Sequence, residues 1–235
     1  MITKVDSSEI LQFHLFKKSI KRISKSYKKA YIIIDSRISS KVLAKLSEID
    51  NFEIIKVRDG GFKESERILL KACKAVKGFV HYCDMARLIR WINNEYEEYV
   101  KIMNLDIETD LMVVSRHKKI RERQSKESQR LNFILNEYCN NNKKICDFIS
   151  ESYILSKESV DWLTSYNGRL PVVFWPLVIC FFNKGSLTNI VSKGLDYGKR
   201  YLEKEAERPL IEGLLTAENM DILTDIVTQT AQKGV

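Results

Sequence analysis

The chain has 235 residues, 44% of them hydrophobic, enough apolar material to fill the core of one large domain or two small ones. Its 39 lysines and arginines outnumber its 31 aspartates and glutamates, and a net charge of +8 favours anionic partners: phosphates, nucleotides, nucleic acid or acidic lipid headgroups. Five scattered cysteines without CxxC pairs exclude a zinc-finger pattern, the N-terminal stretch has no signal-peptide apolar core, and the most apolar run, Leu170 to Phe182, falls well short of the roughly 20 residues of a spanning helix. A single cytoplasmic domain over 1–235 with reduced thiols is expected.

Residues Ser7 to Tyr27 place Ile10, Leu11, Phe13, Leu15, Phe16, Ile20 and Ile23 at helical spacing among lysines, which predicts a basic amphipathic N-terminal helix within 1–29. Such a face could rest on an anionic membrane as a peripheral contact. "AYIIIDSR" (Ala30 to Arg37) is a continuous β-branched run that predicts a buried parallel strand opening into a loop at Asp35. "SSKVLAKLSEI" predicts a helix with a serine N-cap, "FEIIKV" a second strand, "KESERILLKACKAV" a helix and "GFVHYC" a third strand that delivers Asp84.

Strand and helix alternating at this spacing predict right-handed βαβ units, hence an α/β fold with a mainly parallel sheet flanked by helices. In such sheets ligands collect beyond the carboxyl ends of the strands, where Asp35 and Asp84 stand. Asp84 has two readings that do not exclude each other: the N-cap of "MARLIRWI", and a carboxylate for a diphosphate and its metal ion.

Beyond residue 100 the pattern is less regular. "DLMVVSR" (Asp110 to Arg116) predicts another strand, followed by a basic stretch and a helix through "NFILNEYC". A short strand or loop is expected around Asp147, a helix near Ser156 to Leu163, a late strand at "PVVFW", a strand or loop at "SLTNIVSKGLDY", and C-terminal helices over 203–235. The basic cluster Arg116, Lys118, Lys119, Arg121 and Arg123 reads first as a solvated face, with a loop closing on a leaving diphosphate or a nucleic-acid patch as competitors. No aromatic residues interleave there, which disfavours single-stranded nucleic acid. His14, His81 and His117 form no site, no P-loop is present, and Trp91, Trp162 and Trp175 read as core or groove wall, Trp175 with a secondary reading as a sugar-stacking surface.

The succession "YIIIDSR", "FEIIKVRDGG" and "ESERILLKACKAVKGFVHYCDMAR" resembles the nucleotide-sugar glycosyltransferases of the A-type fold (GT-A, Rossmann-like), in particular the inverting, family-two-like group. "DMARLIRW", through Asp84, Arg87 and Trp91, and "GLDYGKRY" (Gly194 to Tyr201) are similar to a subgroup of that family, so the resemblance spans about residues 30–200. It implies a nucleotide-binding half at 30–115 and an acceptor half at 116–202, with a nucleoside-diphosphate sugar as donor and an acceptor that the motifs do not identify. It also implies substrate contacts at Asp35, Arg37, Arg67, Asp84, Arg87 and Arg116, with Mn²⁺ or Mg²⁺ on Asp84 and Asp147, with Glu151 in reserve, as the base.

Two departures stand out. Ala86 occupies the place of the second carboxylate of an Asp-x-Asp pair, which weakens the metal site; at about 4 Å and an effective dielectric near 20, one unit charge is worth roughly 4 kcal/mol against another. The usual first strand is not legible, and the basic helix takes its place. A transferase fold that has lost catalysis, kept for binding or assembly, is therefore the alternative to an enzyme, and a nucleic-acid-binding protein the less favoured third.

Overall fold

The structure, a computed structural model, describes residues 1–5, 13–35, 38–57, 64–139, 145–166 and 170–195, together with Asp221, Thr224 and Thr228. The C-terminal helices expected over 203–235 lie almost wholly outside these residues. One seven-stranded sheet organises the rest: β1 (Ile2–Val5), β2 (Ala30–Asp35), β3 (Phe52–Val57), β4 (Val80–Cys83), β5 (Leu111–Arg116), β6 (Ser152–Leu155) and β7 (Leu187–Ser192), in the order β3-β2-β1-β4-β6-β5-β7. All pairings are parallel except those of β6, which runs against both β4 and β5.

Strands buried on both faces carry continuous β-branched and aliphatic runs, and β2 shows why. Tyr31 and Ile33 point into one apolar cluster and Ile32 and Ile34 into the other. The second cluster is closed by α1 (Phe13–Ser26), α2 (Ser40–Ser47), α4 (Met85–Asn94) and α5 (Tyr96–Met103). The first is closed by α3 (Ser65–Cys73), α7 (Lys126–Cys139), α8 (Lys157–Ser165) and a turn-rich segment from Val172 to Phe182; a short helix, α6 (Lys118–Arg121), precedes α7. This is the expected α/β layering.

Three elements differ from the sequence reading. A first strand exists: Ile2–Val5 is an interior strand of the sheet, paired with Tyr31 to Ile34 on one side and with Tyr82 on the other. The basic helix is thus no addition before the sheet; α1 is the crossover from β1 to β2, with Phe16, Ile20 and Ile23 buried and Lys17, Lys18, Lys21 and Lys25 exposed. "PVVFW" forms no strand. Proline at 171 and 176 supplies no backbone N–H for a ladder, and the chain there makes a 3-10 turn (Val172–Phe174) that leads into a π-helical segment (Leu177–Phe182). Trp175, fully buried against Tyr82 with ring centroids 5.0 Å apart, is core and has no face left for a sugar.

Caps agree with the sequence. The Ser39 hydroxyl accepts from the Val42 N–H at 3.4 Å and Ser156 from the Ser159 N–H at 3.1 Å. None of the five cysteines is in a disulfide, and among the described residues no helix is long and apolar enough to cross a membrane.

Candidate active site

The order of the sheet reverses between β1 and β4: β2 and β3 extend to one side, β6, β5 and β7 to the other. A crevice is expected at the carboxyl end of such a switch point. The β1–β4 ladder consists of one register pair, Ile2 opposite Tyr82, and further along the Thr3 hydroxyl bridges the strands by donating to the Cys83 carbonyl at 2.6 Å. The strands part there, and Lys4 and Asp84 lie at the opening.

Asp84 caps α4: its Oδ1 accepts from the Arg87 N–H at 3.0 Å, which leaves Oδ2 without a hydrogen-bond partner among the described residues. The structure thus supports the capping reading and keeps one oxygen available. Opposite Asp84 stands Glu151. Because β6 is antiparallel, its first residues lie at the carboxyl ends of the parallel strands; the Asp84 N–H donates to the Glu151 carbonyl at 3.4 Å, one step past the Cys83–Ser152 pair.

Glu151 has a left-handed backbone with φ of 50°, an arrangement that costs a residue with a Cβ roughly 1–2 kcal/mol. The residue is 95% removed from solvent, and Oε1 has no hydrogen-bond partner among the described residues. Burial pushes its pKa up; the positive charges of Arg87 and Lys4 oppose that, and the negative charges of Asp84 and Glu66 add to it. The Tyr82 hydroxyl, fully buried beside the same carboxylates, also lacks a partner. Unsatisfied buried polar atoms are uncommon and ask for a ligand or water.

Lys4 and Glu66 complete the cluster, and sequence reasoning missed both. The Lys4 ammonium donates to Glu66 Oε1 at 2.7 Å. Burial alone would lower the lysine pKa, but Glu66, Glu151 and Asp84 outweigh it and hold Lys4 firmly cationic. Lys4 sits in a four-residue strand whose Thr and Lys interrupt the apolar pattern, and Glu66 reads as an ordinary first-turn acid. Only the fold joins them.

Other expected residues are placed as follows. Arg87 is buried on α4, and its Nη1 donates to the carbonyls of Ile149 (2.9 Å) and Ser150. It anchors the segment leading to Glu151. Asp35 is buried at the end of β2, on the same sheet edge. Arg67 is exposed on α3, one residue from Glu66, and Arg37 lies outside the described residues.

Arg116 and Asp147 bind each other. Arg116 Nε donates to Asp147 Oδ2 at 2.6 Å and Nη2 to Oδ1 at 3.1 Å, the Arg116 N–H adds a bond to Oδ2 at 3.1 Å, and both side chains are fully buried. Arg116 therefore leaves the basic cluster, and Asp147 offers no oxygen to solvent. Of the two carboxylates expected as base, Glu151 is the one left uncommitted. His81 is a packed residue, its Nδ1 in contact with the Tyr27 hydroxyl at 2.5 Å and its pKa lowered to about 3 by burial and by the N-terminal ammonium.

The structure also joins two segments that carry the family resemblance. Gly194 lies against the Trp91 indole, and a Cβ built there would stand 2.1 Å from Trp91 Cδ1. Glu98 ties the junction by accepting from Trp91 Nε1 at 3.0 Å and from the backbone N–H groups of Lys193 and Gly194. The rest of "GLDYGKRY", beyond Leu195, is outside the described residues.

No family model and no curated protein matches this chain. The geometry has to carry the functional reading. For a divalent ion, no group of three His, Cys, Asp or Glu ligands assembles among the described residues. Asp84 Oδ2 nevertheless fits the way Mg²⁺ is commonly held, by one or two carboxylates with the remaining ligands drawn from substrate phosphates and water.

Proposed function

We propose that the protein is a nucleotide-sugar glycosyltransferase of the A-type fold that moves a sugar from a nucleoside-diphosphate donor to an acceptor hydroxyl by single displacement with inversion. The observation that carries this reading is Glu151: a buried carboxylate with an uncommitted oxygen, a raised pKa and a left-handed backbone, facing Asp84 at the switch point of the sheet. A base that must take a hydroxyl proton near neutral pH is best served by a carboxyl whose pKa stands above its ordinary value.

Each residue then has a task. Glu151 accepts the acceptor's proton as its oxygen attacks the anomeric carbon and the nucleoside diphosphate departs. Asp84 would hold Mn²⁺ or Mg²⁺, which would supply positive charge to the leaving diphosphate, and Lys4 contributes a fixed cation beside it. Asp35 contacts the base or ribose, while Arg87 positions Glu151 through the Ile149 and Ser150 carbonyls. Arg116 and Asp147 brace the same segment from β5. Arg67 and Arg37 are the flanking candidates for donor contacts.

Titration calorimetry with uridine, guanosine and cytidine diphosphate sugars, each with Mn²⁺ or Mg²⁺, tests the reading. Binding of one donor that is lost in Asp84→Asn is expected; no heat with any of them would remove the proposal.

Ala86 supports a second reading, a transferase fold retained for binding or assembly. Ala86→Asp separates the two, because a metal-poor enzyme gains metal affinity and activity from the added carboxylate and a repurposed scaffold gains neither. Nucleic-acid binding through the basic stretch loses one of its cations to the Arg116–Asp147 pair, and a gel retardation series in salt would expose it.

A further inference from the structure

The two sides of α7 have opposite characters. Inward, Leu131 and Leu135 pack into the core, and the amides of Asn132 and Asn136 hold the backbone of Cys146 and Phe148, just ahead of Glu151. Outward, Phe133 is 64% exposed, Ile134 43% and Tyr138 42%, and Arg130 and Lys126 stand on the same side one and two turns earlier. Lys126, Gln129, Arg130, Phe133 and Ile134 line a shallow open groove of about 450 Å³. A soluble surface rarely gathers large apolar side chains on one helix face without a use for them.

We propose that this face of α7 is a docking surface for an anionic lipid bilayer, with Phe133, Ile134 and Tyr138 entering the headgroup boundary and Lys126 and Arg130 binding acidic headgroups. The charge pattern selects this occupant. Residues 118–138 hold six lysines and arginines against three glutamates, with Lys118, Lys119 and Arg123 exposed just upstream and Glu137 exposed on the face itself. A second copy meeting this face would bring together two surfaces of the same net positive sign, which opposes self-association. Aromatic and aliphatic side chains rimmed by cations suit an acidic bilayer surface.

The same chemistry assigns the contact to α7 rather than α1. The lysines of α1 are exposed, but its apolar residues Phe16, Ile20 and Ile23 are buried against the sheet and α4 and are not available to insert. The inference stands apart from the proposed transferase activity, because vesicle binding needs no donor and no metal.

Sedimentation of the full chain with phosphatidylcholine vesicles, with and without phosphatidylserine, tests it. Binding is expected only with phosphatidylserine present, and to fall as salt rises from 50 to about 300 mM. Lys126→Gln with Arg130→Gln should weaken it roughly fivefold per charge. Phe133→Ser with Ile134→Ser should weaken it about tenfold, whereas Lys17→Gln with Lys21→Gln should leave it within twofold. These side chains are exposed, and an unchanged thermal melt verifies each variant. Absence of binding to acidic vesicles overturns the proposal, as does binding that survives both α7 pairs. A concentration-dependent dimer abolished by the Phe133 and Ile134 changes, with vesicle binding intact, would assign the face to a second copy instead.

Discussion

Two buried carboxylates on one short segment are treated in opposite ways. Asp147 has three donors from Arg116 and no exposure, whereas Glu151 has an orphaned oxygen, a raised pKa and a left-handed backbone. The first arrangement stabilises the fold, because every charge taken from water is answered by another. The second costs stability, and a cost of that kind placed at the switch point of a parallel sheet is what a ligand or proton site looks like. The contrast teaches that burial of an acid is not in itself a sign of chemistry; what matters is whether its oxygens are spent.

The largest expected effect comes from breaking the satisfied pair. Asp147→Asn leaves the Arg116 guanidinium buried with its counter-charge removed, and should cost about 3–5 kcal/mol in urea denaturation. Asp147→Leu combined with Arg116→Met should recover much of that. A loss below about 1 kcal/mol for the single substitution would mean that Asp147 is not the brace described.

Next comes the orphan. Glu151→Gln keeps the shape and removes the base, so a transfer rate should fall by about 10²–10⁴-fold while stability holds or rises. Glu151→Gly should go further in stability by roughly 1 kcal/mol, since glycine accepts a φ of 50° without strain. If both variants were less stable than the parent, Glu151 would be a structural residue like Asp147, and the contrast would collapse.

Gly194→Ala probes the junction behind the site. The new methyl would stand 2.1 Å from Trp91 Cδ1 and 3.0 Å from Glu95 Cβ, and Trp91 is fully buried, so a cost of about 1–3 kcal/mol is expected from the thermal melt. A neutral result would show that the end of β7 can move away from α4.

Much of the fold was legible because β2, β3 and β5 are rich in β-branched or aliphatic residues and because Ser39, Asp84 and Ser156 cap the helices that follow them. Asp35 and Asp84 were legible for the same reason, as residues that end such runs. What stayed hidden has physical causes. β1 is four residues long and Thr3 and Lys4 interrupt its apolar residues, so no apolar run marks this interior strand. β6 runs against its neighbours, and a reading in βαβ units has no place for a strand whose start, not its end, lies at the ligand edge. That reversal is what sets Glu151 opposite Asp84. The Lys4–Glu66 and Arg116–Asp147 pairs join residues far apart in sequence, and no spacing rule connects them.

The smallest effect, and one that needs no substrate, is the pH dependence of stability. Glu151 has a folded pKa above its ordinary value, so the folded state binds a proton more tightly than the unfolded chain. Below the ordinary glutamate range both states are protonated and the group contributes its full share of stability. As pH rises through that range toward the raised value, the unfolded chain loses its proton first, and stability falls. His81 acts in the opposite direction: with a folded pKa of about 3 it stays neutral while the unfolded chain takes up a proton, so stability drops as pH falls below 6.5. The parent protein mixes both trends. Subtracting the profile of Glu151→Gln isolates the first, and the difference should grow against the parent from pH 4 upward, then level off. A flat difference would mean that burial does not raise the Glu151 pKa and would remove the electrostatic part of the contrast.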